Sequence, residues 1–168
     1  MKRIYFLVIF FTMVTVTAYT QTTNYSVHAL YVFNIAKYSA WPAVNGELKV
    51  NVYGKTKAYD HLLKHNGKNV NGHILKISQI ENTQDIRDAH IVYLADSKSS
   101  VIDEVLAHTQ GKSIMIIGER EGLFKKGAGF SFVILENNTL RFDINTTELE
   151  KRNIKVSKSL SSLANASL

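Results

Sequence analysis

The spacing of apolar residues changes along the chain, and each spacing predicts either a helix or a strand. Segment 27–36 is apolar except at two positions, and Ser26 before it can cap a helix. A helix that is apolar on most sides is usually buried or docked against a partner. Pro42 is expected to end this helix, because the residue before a proline disfavours helical geometry. Trp41 would then lie at the helix exit.

The middle of the chain carries strand patterns. Segments 47–53 and 74–80 alternate between apolar and polar residues, whereas 90–95 and 113–119 are compact apolar runs. Compact runs with β-branched residues are typical of strands covered on both faces. A helical stretch, 99–111, separates the last two runs. We therefore expect a right-handed βαβ unit with a parallel strand pair.

The last third of the chain predicts a hairpin. Segments 130–135 and 139–144 have strand character and are joined by an Asn-rich link. Side chains alternate across a strand, so the second segment has two faces. One face carries Leu140, Phe142 and Ile144, and the other carries Arg141, Asp143 and Asn145.

Two short helices are predicted after the hairpin. Asn145 can cap the first, and Glu148 three positions later completes a capping box. The second closes the sequence, with Val156, Leu160 and Leu163 expected to point inward. Together the elements predict an α/β fold: a three-layer sandwich with a mixed, mostly parallel sheet, helices on both faces and a C-terminal hairpin.

The first twenty residues have the pattern of a secretory signal peptide. Lys2 and Arg3 precede an uncharged apolar run, 4–16, which is shorter than the roughly 20 residues of a membrane-spanning helix. Small residues follow, and cleavage is expected after Ala18 or Thr20. We therefore predict a signal peptide over 1–20 and one domain over 21–168. The alternatives are an uncleaved anchor and a buried N-terminal helix.

Composition excludes several classes of function. The formal net charge is +6, but the lysines are spread along the chain and form no basic helix face, so no nucleic-acid partner is predicted. The chain contains no cysteine. Disulfides, thiol catalysis and cysteine-based metal sites are therefore excluded.

No catalytic motif is complete. Segment 111–113 reads GKS but lacks the first glycine of a phosphate loop and precedes a predicted strand. His61 and His65 have the spacing of a metal pair on one helix face, without a third ligand nearby in sequence. A Ser-His-acid triad stays open, because such triads assemble from any order of residues. These observations favour a binding module with no cofactor and no metal over an enzyme.

Three segments carry a family likeness. They are Tyr-x-x-Trp-Pro at 38–42, Arg-Phe-x-Ile-Asn at 141–145 and x-Val-Ser-x-x-Leu-x-x-Leu-Ala at 155–164. In this order, with the strand segments between them, they make the chain resemble the YfiR family over essentially all of the predicted mature domain. The best-known member carries disulfides, which this cysteine-free chain lacks.

The resemblance implies a periplasmic regulator. Its partner would be the periplasmic domain of a membrane-bound signalling protein, such as a diguanylate cyclase or a sensor kinase, which it would hold inactive. An outer-membrane-linked protein could sequester it, and a homodimer is possible for this family. Site residues expected to bind a partner or a ligand are Tyr38, Trp41, Arg141 and Asn145. The alternative function is small-ligand binding in a pocket near Arg141 and Asn145, and an unrecognised hydrolase is the third.

Overall fold

A computed structural model describes residues 24–168, and the predicted signal peptide over 1–20 lies outside this range. The helices in this range are α1 (Tyr25–Lys37), α2 (Ala58–Leu63), α3 (Ile102–His108), α4 (Thr146–Lys151) and α5 (Lys158–Ser161). The strands are β1 (Ser39–Ala40), β2 (Glu47–Tyr53), β3 (Asn69–Val70), β4 (His73–Ile80), β5 (Ile91–Leu94), β6 (Met115–Gly118), β7 (Phe130–Ile134), β8 (Leu140–Ile144) and β9 (Lys155–Val156).

Seven of these strands form one mixed sheet in the order β3-β4-β2-β5-β6-β7-β8. The five central strands run parallel, whereas β3 and β8 join the two edges in antiparallel orientation. The chain passes from β2 to β4 on one side and then returns to β5 on the other. This reversal makes the gap between β2 and β5 a topological switch point. The remaining strands, β1 and β9, form a separate antiparallel pair.

Helices cover both faces of the sheet. On one face, α1, α2, α4 and α5 bury apolar side chains in a core that includes Val50, Tyr93 and Phe130. On the other face, α3 packs on a second core that includes Val92, Leu94 and Ile116. All four residues of β5 and of β6 are buried, as expected of strands enclosed on both sides. The predicted three-layer α/β sandwich is confirmed.

Three local predictions in the second half of the chain are confirmed. β5 and β6 pair in parallel across α3, and β7 and β8 form an antiparallel hairpin. The Asn145 side chain caps α4 by accepting a hydrogen bond from the Glu148 backbone N–H at 2.8 Å. Glu148 does not complete the box, because its carboxylate binds Arg152 instead.

The boundaries of the first helix differ from those predicted. Asn24, not Ser26, is the N-cap, and its side chain accepts hydrogen bonds from the Ser26 backbone and hydroxyl. The helix ends at Lys37, too early for Pro42 to be the residue that terminates it. Residues 39–40 are drawn into pairing with β9, so tertiary pairing rather than proline geometry ends the helix.

The last helix is also shorter than predicted. Leu160 is buried as predicted, but Leu163 is 56% exposed, so its predicted inward orientation is wrong. Val156 lies on β9 and not on the predicted helix. Because α5 ends at Ser161, Leu163 lies beyond the turn that would have carried it inward.

Candidate functional site

A groove of about 810 Å³ opens beside Trp41, and we call it the Trp41 groove. It lies between the segment 40–42, α4, β9 and α5. Its lining consists of Ala40, Trp41, Pro42, Thr146, Leu149, Glu150, Asn153, Ile154, Lys155, Val156 and Ser161. The groove is therefore built by two segments that are far apart in sequence, 40–42 and 146–161.

Pairing between β1 and β9 holds one wall of the groove. Ser39 is in register with Val156, and Ala40 with Lys155. The Ser157 backbone N–H donates to the Tyr38 carbonyl oxygen at 2.9 Å and extends the pairing. This short ladder brings Trp41 and Pro42 to the groove, more than one hundred positions from β9.

A hydrogen bond from its indole fixes Trp41. Nε1 donates to the carbonyl oxygen of His90 at 3.1 Å, and the two rings meet edge-on with centroids 6.3 Å apart. His90 Nδ1 accepts from the Lys49 backbone N–H at 3.0 Å. Burial lowers the pKa of His90, and the Lys49 ammonium lowers it further, which favours a neutral imidazole. The half-buried indole therefore has a satisfied polar edge and an apolar surface on the groove.

The two ends of α4 set the opposite wall. At its N-terminus, Asn145 Nδ2 also donates to the Phe124 carbonyl at 2.9 Å, which anchors the cap to the neighbouring loop. At its C-terminus, Asn153 has a left-handed backbone (φ 57°). The N–H groups of Asn153 and Ile154 then donate to the carbonyls of Glu150 and Leu149 at 2.9 Å each. This is a Schellman ending, and it places Leu149 and Ile154 side by side.

The groove combines an apolar floor with a polar rim. Leu149 and Ile154 are buried at its base, whereas Glu150 and Lys155 are exposed at its edge. An apolar centre surrounded by polar residues is the usual composition of a protein docking surface. Among residues 24–168, no cluster of three or more His, Asp or Glu side chains could hold a metal ion. Fold and groove together define a small α/β domain with an apolar groove bordered by charged residues.

The four residues predicted from the sequence occupy different surroundings. Trp41 lines the groove, and Tyr38 lies three residues earlier, 46% exposed, with the Lys37 ammonium 5.8 Å from its ring centroid. Asn145 uses its side chain to cap α4 beside the groove residue Thr146.

Arg141 lies on β8, outside the lining of the Trp41 groove. It shares a face with Asp143 but forms no ion pair within residues 24–168. Asp143 is buried and accepts a hydrogen bond from Asn165 Nδ2 at 2.9 Å.

Sequence reasoning missed the α4 side of the groove. Leu149 and Glu150 belong to α4, and Ile154 follows its C-cap. The sequence indicated the N-cap of this helix but not which of its side chains line a groove. The one local signal is Asn153, immediately after the C-cap Arg152, because Asn at this position is typical of a left-handed helix ending.

The chain belongs to the YfiR/HmsC-like family, whose profile matches residues 25–165. This range covers nearly all of the described domain and confirms the resemblance that the three sequence segments indicated. No curated protein sequence matches the chain. No helix within residues 24–168 is long and apolar enough to cross a membrane.

Two solved structures share the fold. A conserved domain protein from Vibrio cholerae O1 biovar El Tor superposes with a TM-score of 0.61 at 11% identity, over 87% of this chain and 60% of that one. An ABC domain from Streptococcus pneumoniae, solved in complex with L-Trp, superposes with a TM-score of 0.52 at 11% identity, over 71% of this chain and 55% of that one. The chain thus spans little more than half the length of either protein.

Proposed function

We propose that this protein is a periplasmic regulator that binds and inhibits the extracytoplasmic domain of a membrane-bound signalling enzyme, a diguanylate cyclase or a similar receptor. The observation that carries the proposal is the match to the YfiR/HmsC-like family across residues 25–165. The predicted signal peptide over 1–20 supports export.

The Trp41 groove is the proposed contact surface. Tryptophan is over-represented among residues that dominate binding energy at interfaces, particularly where it borders an apolar pocket. The Trp41 indole is already oriented by the His90 carbonyl, so it loses little side-chain entropy on binding. Glu150 and Lys155 at the rim would select the partner by charge.

Inhibition requires the regulator to prefer one state of the enzyme. A ligand shifts an equilibrium only by the difference in its affinities for the two states. An outer-membrane-linked protein that sequesters the regulator would release the enzyme by mass action. The chain has no cysteine, so control by a disulfide within it is excluded.

Inhibition of a diguanylate cyclase can be tested with purified components. The exported protein is added to a membrane-bound diguanylate cyclase from the same genome, and cyclic-di-GMP production is measured against protein concentration. Glu150→Lys reverses an exposed charge on the rim, and Glu104→Lys makes the matched change on α3, on the opposite face of the sheet.

We expect the wild type and Glu104→Lys to inhibit alike, and Glu150→Lys to need about tenfold more protein. Equal inhibition by both variants would show that the groove is not part of the interface with the enzyme. Failure of the wild type to inhibit or bind any membrane signalling enzyme of that genome would contradict the proposed function.

A further inference from the structure

A second pocket, of about 340 Å³, lies at the carboxyl edge of the parallel strands, and we call it the carboxyl-edge pocket. Asp96 follows β5 and Glu119 follows β6, so both reach it from strand ends. Open α/β sheets bind ligands at this edge, near the switch point of the strand order. The lining consists of Tyr25, His28, Asp96, Glu119, Glu121, Phe132, Ile134 and Leu140.

Negative charge in this pocket is only partly compensated. Asp96 pairs with Arg120 at 2.7 Å, but neither Glu119 nor Glu121 has a cationic partner within residues 24–168. Two hydrogen bonds hold the Glu119 carboxylate in place, from the Thr56 hydroxyl and from the Asp96 backbone N–H, each 3.0 Å long. A chain with an excess of basic residues thus keeps an oriented carboxylate at the end of its sheet.

His28 provides an independent indication of a ligand. Its side chain is only 2% exposed, and Nδ1 lies 3.2 Å from the hydroxyl of the buried Tyr93. Nε2 is almost completely buried and has no hydrogen-bond partner among the described residues. Buried polar atoms are rarely left unpaired, because each costs part of its hydration free energy. When Tyr93 accepts from Nδ1–H, Nε2 carries a lone pair and is an unsatisfied acceptor, in a residue that lines the pocket.

Aromatic rings form the rest of the wall. Tyr25 lies with its ring centroid 5.5 Å from that of His28, and the Phe132 centroid is 4.5 Å from it. Aromatic faces beside carboxylates attract organic cations. A bare metal ion is disfavoured, because the residues described hold no group of three His, Asp or Glu side chains close enough to ligate one.

We propose that the carboxyl-edge pocket binds a small primary amine in its ammonium form. The ammonium group would donate to the Glu119 carboxylate, and also to His28 Nε2 once a small shift of the ring opens that buried atom to the pocket. The alkyl part would lie against Tyr25 and Phe132. Amine binding is measured on the isolated protein, so its presence or absence does not depend on whether the protein inhibits a signalling enzyme.

Calorimetric titration of the protein purified after export of the full chain tests this pocket. The probes are butylamine, the neutral analogue 1-butanol, and tetramethylammonium, which is cationic but donates no hydrogen bond. Glu119→Gln and Glu121→Gln remove a pocket charge, and Glu104→Gln on α3 is the matched control. Glu121 makes no hydrogen bond within residues 24–168 and is exposed, so its variant keeps the test valid if Glu119→Gln fails to fold.

We expect saturable binding of butylamine that is at least about tenfold tighter than that of 1-butanol. Glu119→Gln should weaken it about tenfold, Glu121→Gln about threefold, and Glu104→Gln should leave it unchanged. Equal binding of 1-butanol, equal binding of tetramethylammonium, no saturation with butylamine, or an effect of Glu104→Gln equal to that of the pocket variants would each overturn the proposal.

Discussion

His28 shows how strongly one buried residue depends on its surroundings. It sits in the first turns of α1, in contact with Tyr93 and Phe132, where no carboxylate lies close enough for an ion pair within the described chain. Burial lowers the pKa of His28 to about 4, since the charged imidazolium loses hydration without a compensating partner. The side chain is therefore neutral at physiological pH.

This shift predicts a pH-dependent stability. Below about pH 6.5 the unfolded chain takes up a proton at this position that the folded chain excludes until about pH 4, so acid favours unfolding across this window. Between about pH 7.5 and pH 5, His28 should lower the free energy of unfolding by about 2 kcal/mol.

Urea denaturation of the wild type and of His28→Phe at both pH values checks this. Burial also lowers the pKa of His65 and of His90, with Lys68 and Lys49 as further causes, so the variant keeps part of the slope. The predicted quantity is the difference between the two slopes. Parallel slopes would show that His28 is protonated alike in the folded and unfolded states.

At the scale of elements, a single buried arginine holds α4 against the rest of the fold. Arg152 is 7% exposed, and its Nε donates to Glu148 Oε1 at 2.9 Å. Its Nη1 lies within 3.2 Å of the Thr109 carbonyl and hydroxyl oxygens and of the Ile114 carbonyl. The helix that forms one wall of the Trp41 groove is thus anchored to the end of α3 and the start of β6.

Removing this anchor should destabilise the domain. Arg152→Met leaves several buried acceptors unpaired and is expected to cost about 3 kcal/mol in the free energy of unfolding. The neighbouring Lys151 is 68% exposed and lies 3.8 Å from Glu148, so Lys151→Met should change stability by less than about 0.5 kcal/mol. Urea denaturation of the two variants gives the comparison, and similar losses for both would contradict the anchoring role.

At the scale of the whole molecule, residues 165–168 cover an edge of the main sheet. Ile144 donates to the Ala166 carbonyl at 2.9 Å, and the Leu168 N–H donates to the Ile144 carbonyl at 3.0 Å. The N–H of Thr146 also donates to the Leu168 carbonyl at 2.7 Å. Because β8 is the last strand of the sheet, this segment occupies backbone groups that another chain could otherwise pair with.

Deleting residues 165–168 should therefore both destabilise the protein and promote self-association. We expect a loss of about 3 kcal/mol from the lost backbone hydrogen bonds and from the unpaired Asp143 carboxylate. Leu168→Ala is the control, since it shortens a half-exposed side chain and keeps the backbone contacts. Denaturation and light scattering over a range of concentrations measure both effects, and a stable monomer after the deletion would refute the covering role.

The sequence by itself determined the features that depend on neighbouring residues. The alternating and compact apolar runs identified the parallel pair of β5 and β6, because the period of burial is set by backbone geometry. The Asn145 cap of α4 was predictable for the same reason, since its contact with the Glu148 N–H spans three positions. The three family segments also identified the YfiR/HmsC-like family, as the match over residues 25–165 shows.

Only the tertiary structure decided which residues share a site. Trp41 meets the His90 carbonyl across 49 positions, and β1, just before it, pairs with β9 across more than one hundred. No local pattern encodes either contact. The same pairing of residues 39–40 with β9 explains why α1 ends at Lys37 and not near Pro42. His28 and Arg152 gained their roles in this way too, since their burial depends on helices and strands that meet only after the sheet has formed. Long-range packing, not propensity, is what sets a residue's final environment.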